Sequence, residues 1–424
     1  MSPVLPLSTT RFILRRRPVQ PHAVAFLPFR PNDPSPNQEA AALSAFSESV
    51  SGWCKGSLES STADCPLPQL QTPHAPLVGI ARLAAKSPAA ETKRSSREKP
   101  EYFLLPVKSI LNRCESDRVP FEWTINPYRG CEFACKYCYA RYTHEYMEID
   151  GSEFERKIFV KQDAAVLLGR EVSQKYSYES KASGYTQAEH IAIGTATDPY
   201  QPAEKEYGVT RACLEELAKR EGLSISIITK SDQVVRDIDI LKVIAAKSAL
   251  SLNITVTTLN PRLARLLEPR APRPDLRLAA VKKLREAGLN VGVSASPLIP
   301  GITDGPGEIE AVAEAAKQAG AQWFFSGVLF LMPASAKTFL PFMREKFPKL
   351  AKQYDQWYGK NAYAPEDYRK QASERVLRIR QKYGFAKRPW EGDRPKFQRP
   401  QMNLPWESTP TENGAQAMRS CANG

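Results

Sequence analysis

The sequence predicts an α/β protein built on a parallel sheet. From about residue 100 onward, six short apolar runs alternate with segments that have the amphipathic period of helices. The runs are apolar at nearly every position, as expected for strands that helices cover on both faces. Such a chain forms either an open barrel or a doubly wound sheet, and in both folds ligands bind at the carboxyl ends of the strands.

The elements follow one another at regular spacing. The predicted strands cover 121–126, 190–195, 224–229, 252–258, 291–296 and 321–330. The predicted helices cover 161–174, 210–222, 233–247, 274–288, 307–320 and 368–386. Gly288 and Gly320 end two of these helical segments, a position where glycine commonly caps a helix. Asp304 is expected to cap the helix that begins near residue 307.

The two ends of the chain differ from its middle. Residues 1–99 are rich in proline, serine and alanine and show no sustained period, so we predict a disordered extension. Residues 100–335 are predicted to form the core barrel, 336–390 a helical extension and 391–424 a flexible tail. The first acidic residue, Asp33, follows five arginines. An Arg-rich start is typical of an organelle transit peptide, although a start codon placed too early or a basic disordered tail would look the same.

The overall charge limits the classes of partner. The 59 Lys and Arg residues outnumber the 46 Asp and Glu residues, which gives a net charge of +13. A basic protein of this kind suits an anionic partner, of which nucleic acid is one class. No apolar run approaches the roughly 20 residues that span a bilayer, so we expect no membrane-spanning segment.

Three of the eight cysteines are clustered, and the cluster carries the strongest functional signal. Cys131, Cys135 and Cys138 have the spacing Cys-x3-Cys-x2-Cys directly after the first predicted strand. The other five are scattered, and a disulfide framework is not expected in a chain of this length with irregular spacing. This pattern indicates a metal site in a reducing compartment.

The spacing is compatible with two kinds of metal site, a zinc site and an iron–sulfur cluster. A structural zinc site needs four ligands, and His144 or Cys114 would have to supply the fourth. A [4Fe–4S] cluster usually takes four thiolates. Three thiolates can also hold three irons of such a cluster and leave the fourth iron open to a small chelating ligand.

The second kind of site resembles that of the radical S-adenosylmethionine (SAM) superfamily, whose members carry CxxxCxΦC with an aromatic residue at Φ. Here Φ is Tyr137. The resemblance implies that SAM chelates the open iron through its amino and carboxylate groups. It further implies that one electron from the reduced cluster cleaves SAM, and that the resulting 5′-deoxyadenosyl radical abstracts a hydrogen atom from a substrate.

The resemblance also assigns SAM-binding roles to residues at the later strand ends. Thr195, Thr197 and Asp198 would contact the amino group, although Asp198 also fits an ordinary Asp-Pro turn. Lys230 would pair with the carboxylate. Further candidates are Thr257 and Thr258 for the ribose or carboxylate, Leu298 and Ile299 beside the adenine, and Glu268, Arg270 and Arg273, which either pair on the surface or reach an anionic ligand.

Several longer segments resemble the spore photoproduct lyase-related branch of the superfamily. They are NPYRGCEFACKYCYAR, GTATDPYQPAE, ITKS, TLNPRLARLLEPRAP and SPLIPGITD, which together lie within residues 100–385. This resemblance implies a partial (β/α)6 barrel. True lyases have a hydrogen-donating cysteine where Thr195 stands here. Because the O–H bond of threonine is far stronger than a thiol S–H bond, the sequence favours a related branch whose substrate the sequence does not identify.

The sequence therefore predicts a radical SAM enzyme with an unidentified substrate. The alternatives are repair of a DNA photolesion and a non-enzymatic iron–sulfur or zinc protein that binds nucleic acid. The expected partners are an electron donor such as flavodoxin or ferredoxin, and nucleic acid if the basic charge serves binding. We expect a cytoplasmic protein, or an organelle-matrix protein if the Arg-rich start is a transit peptide. Tyrosines that could stack on a base are Tyr139, Tyr142, Tyr146, Tyr200 and Tyr207.

Overall fold

The computed structural model describes Ile80 and residues 99–116, 119–182 and 189–387. The predicted disordered extension therefore lies almost wholly outside the described residues, as do the predicted tail 391–424 and the cysteines Cys54, Cys65 and Cys421. The proposed boundaries between core and extensions stay predictions.

The main sheet has seven strands, and six of them run parallel. Its spatial order is β10-β9-β8-β7-β6-β3-β2, and each parallel pair is hydrogen-bonded in register. The parallel strands are β3 (Trp123–Ile125), β6 (His190–Ile193), β7 (Ser224–Thr229), β8 (Ala249–Thr255), β9 (Val291–Ser294) and β10 (Phe324–Phe325). Each lies within a predicted strand or, for β8, begins three residues before it.

The order of these strands decides between the two predicted architectures. A doubly wound sheet reverses its strand order at a switch point. Here the parallel strands are neighbours in chain order from one edge to the other, so every crossover winds in the same direction. The sheet is an open, partial barrel of six β/α units.

Two smaller features of the β structure were not predicted. Strand β2 (Leu111–Arg113) pairs antiparallel with β3 at the edge of the main sheet. A second sheet joins β1 (Glu101–Leu104), β5 (Lys157–Val160) and β4 (Tyr128–Arg129). These strands have two to four residues, too short for a periodicity to stand out in the sequence.

Helices cover the sheet and extend beyond its last strand. They are α1 (Tyr142–Glu145), α2 (Ala164–Ala182), α3 (Glu204–Tyr207), α4 (Val209–Ala218), α5 (Ile238–Lys247), α6 (Pro261–Leu267), α7 (Pro274–Glu286), α8 (Pro306–Gln318), α9 (Pro333–Lys346), α10 (Pro348–Tyr358) and α11 (Glu366–Lys382). Short 3₁₀ turns lie at Tyr139–Arg141, Gly151–Glu153 and Asp232–Asp237.

The predicted helix ends are confirmed at two glycines. Gly288 and Gly320 have φ angles of 83° and 85°, in the left-handed region that favours glycine. The prediction for Asp304 is wrong, because the N-cap of α8 is Gly305. The Asp304 carboxylate instead accepts hydrogen bonds from the Gly301 backbone N–H at 2.7 Å and from the Tyr368 hydroxyl at 2.5 Å, and so joins the turn after β9 to α11.

The two largest hydrophobic clusters among the described residues hold the fold together. The larger one lies between the parallel sheet and its helices and includes the fully buried Cys213 on α4. The smaller one packs the cysteine segment against α9 and α10. The second cluster thus places a C-terminal helix pair directly behind the candidate site. Within the described part of the chain, none of the helices has the length and apolar character needed to cross a bilayer.

Candidate functional site

The cysteine segment forms an irregular loop at the carboxyl end of the sheet. It leaves β4 at Gly130, whose φ angle of 87° and close approach to the Lys157 carbonyl exclude a side chain. The Cys131 N–H donates to the Phe154 carbonyl at 3.1 Å, and the Cys138 N–H donates to the Cys135 carbonyl at 3.3 Å. Ala134 also has a positive φ angle, 57°. The loop therefore curls back on itself and turns all three cysteines towards the barrel.

The three cysteines surround one cavity. The space open to the centres of water molecules there measures about 140 Å³. The wall on the loop side contains Cys131, Cys135, Tyr137, Cys138 and Tyr139, and the wall on the sheet side comes from the strands β6 to β10. The cavity thus lies where the carboxyl ends of the parallel strands meet, as the fold class predicts.

Cys131 and Cys135 are buried and Cys138 is half-buried at the cavity wall. Burial raises the pKa of all three, that of Cys135 to about 12, so the thiols are protonated until a metal binds. The ammonium group of Lys230 works in the opposite direction on Cys135 and Cys138. Each iron of a cluster can take one thiolate, and this wall offers three from one loop. Among the described residues, no three His, Cys, Asp or Glu side chains are gathered tightly enough to ligate a single ion.

Buried side chains hold the loop from behind. Arg141 donates to the Cys135 carbonyl at 3.2 Å and to the Gly151 carbonyl at 3.0 Å, and forms an ion pair with Glu155 at 2.6 Å. Ser335, in the first turn of α9, donates to the Cys138 carbonyl at 2.8 Å. These two carbonyl contacts fix the backbone at two of the three cysteines. The sequence analysis did not identify either residue.

The end of β6 supplies three predicted residues to the cavity wall. The hydroxyl of Thr195 meets the amide of Asn126 at 3.1 Å, and Thr197 donates to the Gly130 carbonyl at 2.6 Å. The carboxylate of Asp198 accepts from the Thr229 hydroxyl at 2.6 Å and from the Lys230 N–H at 2.7 Å. Burial raises the pKa of Asp198, while these hydrogen bonds favour its charged form. Asp198 therefore ties the ends of β6 and β7 together at the cavity.

Lys230 occupies the position that the sequence predicted for it. Its ammonium nitrogen lies 5.8 Å from the centroid of the Tyr137 ring, and the residue lines the cavity. Burial lowers the pKa of Lys230, but Cys135 in its ionised form and the carboxylates of Glu268 and Asp198 more than offset that effect, so the net shift is upward. The side chain therefore offers a positive charge to the cavity.

Three other residues predicted to contact SAM lie outside the cavity wall in this conformation. Thr257 donates to the Glu268 carboxylate at 2.7 Å, and the Thr258 hydroxyl accepts from the Asn260 N–H at 3.1 Å. Leu298 pairs with Val328 and packs in the larger hydrophobic cluster. All three lie beyond the last residue of their strand and outside the cavity wall. Their side chains serve the turns that follow the strands.

The strands contribute polar side chains that the sequence analysis missed. Along β7, β8 and β9 and the residues directly after them, every second residue faces the cavity. In chain order they are Ser226, Ile228 and Lys230, then Asn253 and Thr255, then Ser294 and Ser296. Asn253 accepts from the Trp323 indole N–H at 2.9 Å, which fixes the orientation of its amide. Side chains alternate between the two faces of a strand, so one residue known to face the cavity would have identified the others on its strand.

The remaining candidates divide between packing and other contacts. Glu268 is buried and pairs with Arg277, whereas Arg273 pairs with Asp275 on the surface. Tyr139 lines the cavity and stacks on Tyr142, with Tyr146 beyond. Tyr200 is fully buried in the larger cluster, and Tyr207 packs against that cluster.

Neither proposed fourth zinc ligand reaches the cavity wall. The His144 ring is fully buried between Phe154 and Phe159, and its Nε2 lies 2.9 Å from the Lys157 carbonyl. Cys114 packs beside Phe121 in a small separate cluster. In this conformation the polar residues that line the cavity include the three cysteines, His190 and the polar residues of the strands and strand ends.

The chain is similar to known proteins in sequence and in fold. The family model of the radical SAM superfamily matches residues 125–316. An uncharacterized protein of Mycobacterium tuberculosis is 32% identical over 281 residues, which are 66% of this chain and 80% of that protein. An uncharacterized protein of Methanocaldococcus jannaschii is 28% identical over 228 residues, 54% of this chain and 77% of that one. The structure of a spore photoproduct lyase mutant has the same fold, with a TM-score of 0.50 and 16% identity over 66% of this chain and 79% of that chain.

Proposed function

The chain belongs to the radical SAM superfamily, and from this premise we propose that it binds a [4Fe–4S] cluster and SAM in the cavity described above. When bound, the two groups supply a 5′-deoxyadenosyl radical on one-electron reduction. The protein's own contribution is to position the groups, set their electrostatics and exclude water. The reaction proposed is hydrogen abstraction from a substrate admitted to the same cavity.

The observation that carries the proposal is that three cysteines and one lysine meet at one cavity. Cys131, Cys135 and Cys138 would each ligate one iron and leave the fourth open. Lys230 would pair with the carboxylate of SAM, because it is a cation on the sheet wall whose ammonium nitrogen lies 5.8 Å from the centre of the Tyr137 ring. Thr195, Thr197 and Asp198 lie on the same wall and would orient the amino group.

The substrate side is proposed from the sheet wall. The inward residues Ser226, Asn253, Thr255, Ser294 and Ser296 give that wall hydroxyl and amide groups. Such groups select a substrate that accepts or donates hydrogen bonds. We therefore propose a polar substrate, buried while it reacts.

The branch within the superfamily is proposed from the sequence segments. These resemble the spore photoproduct lyase-related branch, yet Thr195 stands where the lyases have a hydrogen-donating cysteine. The proposed reaction is therefore a different hydrogen abstraction. Repair of a DNA photolesion is the second candidate, and the net charge of +13 favours a nucleic-acid substrate.

The proposed setting includes an external electron source. A reduced flavodoxin or ferredoxin would supply the electron, and a reducing compartment such as the cytoplasm would keep the thiols available for iron. The organelle matrix is the alternative if the Arg-rich start is a transit peptide.

The test is an anaerobic assay for 5′-deoxyadenosine. The protein is reconstituted with iron and sulfide, reduced with dithionite and supplied with SAM. Formation of 5′-deoxyadenosine by wild type, and its loss in Cys135→Ala, is the expected result. The same assay with dinucleoside spore photoproduct, the molecule bound in one of the related lyase structures, tests the second candidate. A protein that takes up zinc in place of iron, or a cluster-loaded protein that neither cleaves SAM nor converts that photoproduct, would contradict the proposal.

The controls are two cysteines outside the cavity wall. Cys213→Ala changes a buried thiol on α4, and Cys114→Ala removes the candidate for a fourth ligand. Both variants should keep wild-type 5′-deoxyadenosine formation. A loss in Cys114→Ala alone would indicate a four-cysteine site.

A further inference from the structure

A buried carboxylate lies behind the cysteine loop on the side away from the cavity. Glu268 directly follows the last residue of α6 and is 2% exposed. The Tyr137 hydroxyl donates to its Oε1, and the Thr257 hydroxyl donates to the same atom at 2.7 Å. Arg277, on α7, donates to Oε2 at 2.5 Å. One carboxylate thus gathers groups from the loop, from the segment after β8 and from α7.

The charge of Glu268 is balanced within this group. Arg277 is as buried as Glu268, and its other nitrogens donate to the carbonyls of Pro272 at 2.7 Å and Thr255 at 3.1 Å. The charges of Arg277 and Lys230 lower the pKa of Glu268 against the effect of burial, so the carboxylate is ionised. A buried pair of this kind contributes little net stability compared with apolar residues of similar size. Its presence beside the cysteine loop therefore calls for another explanation than stability.

The same segment holds the loop through its backbone. The Lys136 N–H donates to the Leu267 carbonyl at 2.9 Å, and the Arg270 N–H donates to the Phe133 carbonyl at 3.2 Å. These two bonds flank Glu268 in sequence, and the Tyr137 hydroxyl bond lies between them in space. Residues 267–270 therefore contact the loop at three points between Cys131 and Cys138.

The consequence for Tyr137 is a fixed ring orientation. Its hydroxyl points out of the cavity to Glu268 while its ring remains in the cavity wall, with Lys230 above it. A ring held at its far end cannot rotate away from the cavity without breaking a hydrogen bond to a charged group.

We propose that Glu268 is a positioning residue for SAM binding, acting through Tyr137. The carboxylate fixes the ring of Tyr137, which lies between Cys135 and Cys138 in the sequence. The inference rests on the proposed function. It gives the LLEPRAP segment a role in SAM binding, which a surface ion pair would not explain.

The test compares two double variants that are matched in size and charge. Glu268→Gln with Arg277→Met keeps an oxygen that accepts from Tyr137 and Thr257. Glu268→Met with Arg277→Met does not. Both remove the ion pair as a whole, so neither leaves an unpaired buried charge, and both lose the same Arg277 contacts. Melting temperature and iron content, measured for both, establish that each variant folds and holds its cluster.

The readout is the dissociation constant of SAM from the cluster-loaded protein, measured by anaerobic calorimetry. The Gln variant should bind SAM within roughly threefold of wild type. The Met variant should bind about tenfold more weakly, the factor that one hydrogen bond to a charged group supplies. The electron paramagnetic resonance spectrum of the reduced cluster should change on SAM addition in both, but the Met variant should need correspondingly more SAM.

A third variant removes the risk that the double variants misfold. Tyr137→Phe deletes only the hydroxyl and should weaken SAM binding by about the same factor. Introduced into the Met double variant, it should have little further effect, because of the contacts of that hydroxyl only the one with the Thr257 hydroxyl, at 3.2 Å, then remains to be lost.

The outcomes separate this inference from the proposed function. If wild type binds SAM and the Gln, Met and Phe variants bind it equally well, Glu268 is purely structural and the positioning role is wrong. If the Phe change weakens binding again in the Met background, Tyr137 acts independently of Glu268 and the inference is also wrong. If wild type holds no cluster or binds no SAM, the proposed function itself fails.

Discussion

The two walls of the cavity are built on different principles. The loop wall, from Cys131 to Tyr139, is irregular backbone held by side chains from other elements, among them Arg141, Glu268 and Ser335. The sheet wall is regular, and its contacts follow from strand pairing and the alternation of side chains. A loop of this kind depends on many separate contacts, whereas a strand position depends on its register.

Because the two walls are built differently, we expect mutations in them to have different effects on folding and on ligand binding. A change in the loop wall should alter the ligands or their placement and leave the fold in place. A change in the sheet wall should affect the fold first, because its side chains are packed within the barrel. The following changes test that contrast, in order of decreasing expected effect.

Removal of one loop cysteine should have the largest effect. Cys131→Ala, Cys135→Ala and Cys138→Ala should each reduce bound iron from about four per chain to well under one after reconstitution, because the cluster loses a ligand. Iron and sulfide analysis measures this, with Cys213→Ala as the control. Wild-type iron content in any of the three would remove that cysteine from the ligand set.

A methyl group at Gly292 should destabilise the sheet wall. A Cβ there would lie 2.0 Å from the Trp323 indole nitrogen, so the indole must move and lose its bond to Asn253. We expect Gly292→Ala to lower the free energy of unfolding by about 3 kcal/mol. Urea unfolding measures it. Gly307→Ala, on α8 where a Cβ meets open space, should be neutral or slightly stabilising. Equal stability of the two variants would mean that the sheet wall tolerates repacking.

The buried side chain of His144 should make the free energy of unfolding depend on pH. Burial lowers the pKa of His144 to about 4, against about 6.5 in an unfolded chain. The folded state therefore keeps His144 neutral, and the stability that this contributes is present above pH 6.5 and is lost as pH falls towards 4. The loss amounts to at most roughly 3 kcal/mol.

The variant that isolates this effect is His144→Phe, which suits a site between two phenylalanine rings. Urea unfolding at several pH values should show a smaller decrease below pH 6.5 for the variant than for wild type. Parallel curves for the two proteins would show that His144 does not carry the pH dependence.

Lys230 joins the two walls, so its removal should affect ligand binding more than stability. Lys230→Ala should weaken SAM binding about tenfold, because a charged partner of the carboxylate is lost. Lys242→Ala, on the exposed face of α5, is the matched control. Unchanged affinity in Lys230→Ala, measured by anaerobic calorimetry, would separate this lysine from SAM.

The smallest expected effect is a gain at Thr195. Thr195→Cys places a hydrogen-donating thiol on the cavity wall, and Thr195→Ser is the matched control. With dinucleoside spore photoproduct as substrate, we expect detectable conversion to repaired dinucleotide in the Cys variant alone. Conversion that is equal in all three proteins, or absent from all three, would show that residue 195 does not decide the outcome.

The sequence identified the three cysteines of the loop wall because their signal is local. The spacing of Cys131, Cys135 and Cys138 requires no knowledge of the rest of the fold, and all three line the cavity. The contacts that support the loop were not predictable in the same way. Glu268 lies 131 positions from Tyr137 in sequence, and Ser335 lies 197 positions from Cys138. Only the tertiary structure brings them together.

The sequence predicted the order and direction of the strands that form the sheet wall. It did not show where each strand ends. Lys230 was placed correctly because it is in phase with Ser226 and Ile228. Thr257 and Leu298 have the right phase for their strands but lie past the strand ends, where the chain turns away from the cavity. Strand ends are the least certain feature of a pattern, and an error of two residues exchanges a cavity residue for a turn residue.

The proposed function requires that SAM bind to a cluster held by the three loop cysteines. The decisive measurement is the electron paramagnetic resonance spectrum of the reduced, reconstituted protein, recorded without and with SAM. We expect a [4Fe–4S] signal that changes on SAM addition and saturates, and that is lost in Cys135→Ala. A cluster signal that SAM leaves unchanged, or a protein that retains zinc and gives no cluster signal, would contradict the proposed function.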